Sequence, residues 1–146
     1  MSRTRILDRE VAGAMSALSA AAKKGLGDPV LAELVMIRAS QLNHCAFCLD
    51  MHLQLARKHG ESEDRVQMLN AWEETEDLYS ERERAALALT EAVTLLTDGV
   101  PDEVYERAAR HFTEAELAHL IGLIAVINGW NRLMVSRRVP PGGYRP

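Results

Sequence analysis

The chain has 146 residues, with 17 basic and 21 acidic side chains giving a net charge of −4. At 47% hydrophobic and 26% charged it has an ordinary globular composition, neither disordered nor collagen-like, and its mild acidity argues against a nucleic-acid or anionic-membrane partner. The longest strongly apolar run, Leu120 to Ile127, falls short of the roughly 20 residues that span a bilayer, and no secretory signal is expected, since no continuous apolar run ending in a cleavage site stands near the N-terminus. The expectation is one domain over residues 1–146.

Gly and Pro are sparse and no window alternates polar with apolar residues, so the fold class expected is all-α, six to seven helices. A first helix is predicted from Ile6 to Lys24 with Val11, Met15, Leu18 and Ala22 on one face, ended by Gly25 and Gly27. Asp28 as N-cap and Pro29 at N1 open a second helix to Leu42, with Leu31, Leu34, Val35 and Ala39 on its buried face. Asn43 and His44 break the chain before a third helix from Cys45 to His59, closed by Gly60. Ser62 starts a fourth segment carrying Val66, Leu69 and Trp72. Ser80 with Glu83, and Thr113 with Glu116, have capping-box spacing; they open a fifth helix to Thr97 and a last helix from Glu114 to Arg137, with a short one from Pro101 between them. The last helix is apolar on more than one face, as a central helix or a subunit interface is. Residues 140–146 read as a surface tail.

The chemistry concentrates in Asn43-His44-Cys45-Ala46-Phe47-Cys48-Leu49-Asp50-Met51-His52. At about 100° per residue, Cys48 lies about 60° and His52 about 20° from Cys45 around a helix, so the three share one stripe. Cys48 and His52, four residues apart, are close enough for an imidazole to take a thiol proton. Cys45 sits where free backbone N–H groups and the helix dipole favour a thiolate, and the CxxC spacing allows a disulfide across the first turn. Zinc is the rival use, with Cys45, Cys48, His52 and His44 as ligands. However, Cys45 and His52 are about 10 Å apart along a helix axis, whereas zinc–ligand bonds are about 2.0–2.3 Å. Glu33, twelve residues before Cys45, returns beside the stripe if the second and third helices form a hairpin at Asn43. It would there orient His52 or relay its proton; from spacing alone it reads equally as a solvated glutamate.

These residues resemble the alkylhydroperoxidase D-like branch of the carboxymuconolactone decarboxylase family, whose redox signature is matched by Glu33, Cys45, Cys48 and His52 at the family's spacings. The flanks Arg38 to Asn43 and Leu49 to His52 are similar too, as are Ala71-Trp72, Glu81 to Leu87 and Asn128 to Arg132. The resemblance implies an all-α homo-oligomer, trimeric or hexameric, and a cytoplasmic thiol peroxidase with no cofactor beyond a redox-active Cys45–Cys48 disulfide. Its partners would be a hydroperoxide substrate and a dithiol or protein reductant. Cys48 would be the attacking cysteine, Cys45 the more exposed resolving cysteine and proton donor, and Glu33 with His52 the proton relay. Helix-dipole reasoning instead favours Cys45 as the better thiolate. The fuller family pattern has a second relay histidine where Phe47 stands here, with His44 a candidate substitute. General disulfide exchange and non-enzymatic redox sensing remain alternative uses of the same pair.

The other distinctive residues read as structural. Trp130, Asn131 and Arg132 would be a buried tryptophan with polar neighbours satisfying backbone and carboxylate groups, and Arg82 and Arg84 with Glu81 and Glu83 a solvated helix start. His111 and His119 have no in-phase ligand partner, and Met36 and Met51 fill core.

Overall fold

The computed structural model describes residues 3–4 and 7–145. Among these residues seven α-helices follow in order: α1 (Arg9–Leu26), α2 (Pro29–Leu42), α3 (Ala46–Lys58), α4 (Glu63–Met68), α5 (Glu81–Leu95), α6 (Asp102–Ala109) and α7 (Glu114–Arg137). A 3-10 segment, Leu69–Glu74, extends α4 through a kink at Ala71 (φ −125°). Among the described residues no strand forms, only an isolated bridge between Thr97 and Gly99.

Most helix ends fall where capping chemistry places them. Asp8 Oδ1 accepts from the Glu10 and Val11 N–H groups, Asp28 Oδ1 accepts from Leu31 N–H at 3.1 Å, and both capping boxes are complete. Ile6, the expected start of α1, lies outside the described residues. The helix runs through Gly25 and stops at Gly27, whose φ of 69° is the left-handed conformation of a C-cap. Gly25 stays helical because space, not backbone freedom, requires it: a Cβ there would lie 1.9 Å from the His119 ring. Similarly, α5 stops at Leu95, because Leu96 takes a left-handed cap at φ 51°.

The face of α1 that packs differs from the expected one. Val11 and Leu18 are each 45% exposed, while Met15, Ala22 and Leu26 face the core. The crossing with α7 sets this register: Gly129 lies so close to Met15 that a Cβ would sit 2.8 Å from its Cε, and Trp130 Nε1 donates to Ser19 Oγ at 3.1 Å.

α7 is central, packing on α1, α2, α3, α5 and α6. By length and composition it reaches that of a membrane span, more than the Leu120–Ile127 run alone suggested; here Leu117, Leu120, Leu123, Ile124, Val126 and Ile127 form the main core. α2 is buried on nearly all sides. It gives Leu31, Val35 and Ala39 to that core, and Leu34 and Ile37 to a second cluster with Val66, Leu69, Trp72 and Leu87. Glu33 is ionisable and only 1% exposed on this helix, so it requires a partner.

Candidate functional site

The site begins at the turn between α2 and α3. Asn43 caps α2 and His44 reverses the chain with a φ of 54°. Cys45 then caps α3: its N–H donates to Ser40 O at 3.0 Å, and its Sγ lies 3.3 Å from the Cys48 N–H. A cluster of amides, of which Asn131 is fully buried, clamps this turn to α7. Asn43 Nδ2 donates to Asn128 Oδ1 and Asn131 Oδ1, each at 2.9 Å, and Asn131 Nδ2 donates to Ser40 Oγ at 3.0 Å. Asn131 thus does satisfy buried polar groups, and Arg132 bonds the Asn128 carbonyl at 3.2 Å, although among the described residues neither meets a carboxylate.

Cys45 and Cys48 form a disulfide with Cα atoms 5.3 Å apart. Contrary to expectation Cys45 is not the more exposed of the two: it is 1% and Cys48 2% accessible. Cys45 is sealed between the end of α2 and the start of α3, whereas Cys48, one turn on, borders a cavity of about 500 Å³.

His52, one further turn along α3, lines the same cavity. The α2–α3 hairpin brings Glu33 to it, with Glu33 Oε2 2.7 Å from His52 Nδ1. The carboxylate accepts the Nδ1 proton, so Nε2 is the ring atom left for a thiol. The other carboxylate oxygen, Oε1, lies 3.4 Å from Lys23 Nζ. Lys23 escaped the sequence reading although the Gly27-Asp28-Pro29 turn folds α1 back on α2; ten residues separate it from Glu33, and no helical spacing links the two.

Phe47, Met36, Met51, Leu55, Trp130 and Met134 supply most of the remaining cavity wall. Trp130 is therefore a wall residue as well as a packing one, and Met36 borders the cavity while also filling core. His44 is exposed and is not among the cavity's lining residues, so it does not take the place of a histidine at Phe47. Among the described residues, no three His, Cys, Asp or Glu side chains gather as a metal site.

A group of charged residues around Arg65 forms a different assembly. Arg65 binds Glu61 at 2.8 Å, the Leu78 carbonyl at 2.8 Å, and Glu83; Tyr79 donates to the Arg65 carbonyl. The hydrogen bond to Glu83 raises the already high Arg65 pKa, against opposing burial. Burial works against ionisation of Glu83, but hydrogen bonds from Arg65 and Ser80 outweigh it and hold its carboxyl below the ordinary value. Burial also pushes the Tyr79 phenol up to about 12. The start of α5 is not merely solvated, then. Besides Glu83, Arg82 pairs with Asp28 at 2.8 Å and stacks on Phe112, and Arg84 binds the Trp72 carbonyl at 3.1 Å.

The sequence profile described as the carboxymuconolactone decarboxylase family matches residues 9–92. The uncharacterised YdfG of Bacillus subtilis is 49% identical over 105 residues, 71% of each chain. YnjA of Escherichia coli, also uncharacterised, is 32% identical over 117 residues, which span 80% of this chain and 63% of YnjA. Among solved structures, a protein of unknown function from Agrobacterium tumefaciens, described as a candidate antioxidant defence protein AhpD, superposes with a TM-score of 0.91 at 32% identity, covering 99% of this chain and all of the other. The debrominase Bmp8, in complex with 2,3,4-tribromopyrrole, shares the fold with a TM-score of 0.80 at 19% identity, covering 93% of this chain and 73% of its own.

Proposed function

This chain belongs to the carboxymuconolactone decarboxylase family, and we propose that within it the protein is a thiol peroxidase that reduces organic hydroperoxides with Cys48 and Cys45. One observation carries the reading: Cys48, half of a disulfide, borders an apolar cavity beside a histidine whose other ring nitrogen is held by a buried glutamate. That is a nucleophile, a base and an orienting group in sequence.

In the reduced protein His52 Nε2 takes the Cys48 proton. The thiolate attacks the terminal peroxide oxygen, the O–O bond breaks, and the departing alkoxide takes the proton back from His52. This leaves an alcohol and a Cys48 sulfenic acid. Cys45, 5.3 Å away between Cα atoms, attacks that sulfur; the S–O bond breaks, water leaves, and the disulfide forms. Two thiols and one hydroperoxide give one disulfide, one alcohol and one water. A dithiol, small or on a protein partner, restores both thiols by exchange. The cavity, about 500 Å³ and walled by Phe47, Trp130 and methionines, favours a hydroperoxide with a bulky apolar group. The reading also carries a reducing, cytoplasmic setting and assembly as a trimer or hexamer.

The test is turnover. Reduced protein supplied with a dithiol and an organic hydroperoxide should consume the peroxide catalytically. Dithiol oxidation in exchange assays without peroxide consumption would replace the peroxidase with a general disulfide exchanger.

A further inference from the structure

Glu33 is a carboxylate on the buried part of α2, its side chain 2% exposed, and it has two partners, one on each oxygen. His52, 4% exposed, is as closed off as Glu33; Lys23 is 38% exposed and lines the Cys48 cavity. Lys23, Glu33 and His52 are thus joined by contacts from the solvent edge inward, and His52 shares the cavity wall with the buried Cys48 one turn away. We infer that Lys23 is a positioning residue of the thiol site, its ammonium holding the Glu33 carboxylate so that His52 presents Nε2 to Cys48.

The charges account for its place. Before proton transfer the cluster contains a thiol, a neutral imidazole, one carboxylate and one ammonium. After transfer it contains a thiolate, an imidazolium, the same carboxylate and the same ammonium. The cluster is neutral in both states. Without Lys23 it carries one negative charge in both, around a Glu33 and a His52 almost fully shielded from solvent, where an unpaired charge is costly. The ammonium on Oε1 also sets the orientation of the carboxylate, and a Glu33 that turns away no longer accepts the Nδ1 proton that fixes the histidine tautomer. Lys23 touches no reacting atom; it acts through Glu33.

This assignment rests on the thiol reading of the site, and its test separates the two. The probe is iodoacetamide, a neutral alkylating agent that reports thiolate availability without any peroxide. Reduced wild type, K23M and K23R are alkylated at pH 7, and Cys48 labelling is followed by mass spectrometry. Alkylation in K23M should slow by about tenfold to a hundredfold, the weight of one hydrogen bond to a charged group. K23R, which keeps charge and donor, should restore most of the rate. In the imidazole nitrogen NMR spectrum, the His52 Nδ1–H form should dominate in wild type and K23R and lose that dominance in K23M. A K23M protein that alkylates at the wild-type rate with an unchanged His52 tautomer, or a K23R protein as slow as K23M, would overturn the assignment. If wild type fails to react with hydroperoxide while alkylation still depends on Lys23, the peroxidase falls and the positioning role stands.

Discussion

Arg65 and Glu33 are both charged side chains drawn largely out of water, but their surroundings differ in kind. All three guanidinium nitrogens of Arg65 donate, to Glu61, to Glu83 and to the Leu78 carbonyl, and its own carbonyl accepts from Tyr79. Each group is satisfied by the next, and the network ties α4 to the start of α5. Glu33 is also doubly partnered, yet the line that begins at Lys23 passes through it to His52 and ends at a sulfur beside a cavity. A closed network of charges fixes position. An open-ended one leaves a basic nitrogen for chemistry. Burial and ion pairing alone would have ranked the two sites together; what separates them is where the chain of partners stops.

That contrast can be broken most severely at the sulfur. Cys48→Ser should abolish disulfide formation and peroxide consumption altogether while leaving the helical circular dichroism signal unchanged; turnover at the wild-type level in this variant would remove Cys48 from the role given it. His52→Ala should slow thiol oxidation by about a hundredfold or more, the weight of a general base, with single-turnover kinetics as the measure. Arg65→Met should do the reverse: it should cost about 2–3 kcal/mol in denaturant unfolding, because Glu61 and Glu83 lose a charged partner, and leave the oxidation rate within error of wild type.

The smallest effect is in acid. The Glu83 carboxyl is held below its ordinary value of 4.5 in the folded chain. The stabilisation this brings is therefore complete above that value and is lost as pH falls through the lower folded one. Thermal midpoints measured from pH 6 downward should fall more steeply for wild type than for Glu83→Gln, and parallel curves would detach the network from acid stability.

How much of this was legible in the sequence depends on distance along the chain. Caps are local, so Asp28, Ser80 with Glu83 and Thr113 with Glu116 marked helix starts where the structure has them. The Cys45, Cys48 and His52 stripe is likewise local, set by helical phase alone. Glu33 needed one hairpin to reach it, and the break at Asn43 supplied that hairpin. Lys23 and Trp130 depend on how α1 crosses α7, which no short-range spacing encodes. The same ambiguity misplaced the buried face of α1. Val11, Met15, Leu18 and Ala22 make a regular stripe, but Met15, Ser19, Ala22 and Leu26 make an equally regular one. In a helix where alanine, serine and glycine make up ten of the eighteen residues, the close approach of Met15 to Gly129 decides between them. The burial of Cys45 was hidden for a related reason, since the amide clamp from Asn43 to Asn131 spans 88 residues.

The most direct measurement of the central claim is the intact mass of fully reduced protein before and after one equivalent of an organic hydroperoxide, with the rate followed over pH. The account predicts rapid loss of two hydrogens as the Cys45–Cys48 disulfide forms, with an apparent thiol pKa below the free value of about 8.5. A mass that stays unchanged, or that rises by oxygen without closing the disulfide, would contradict it.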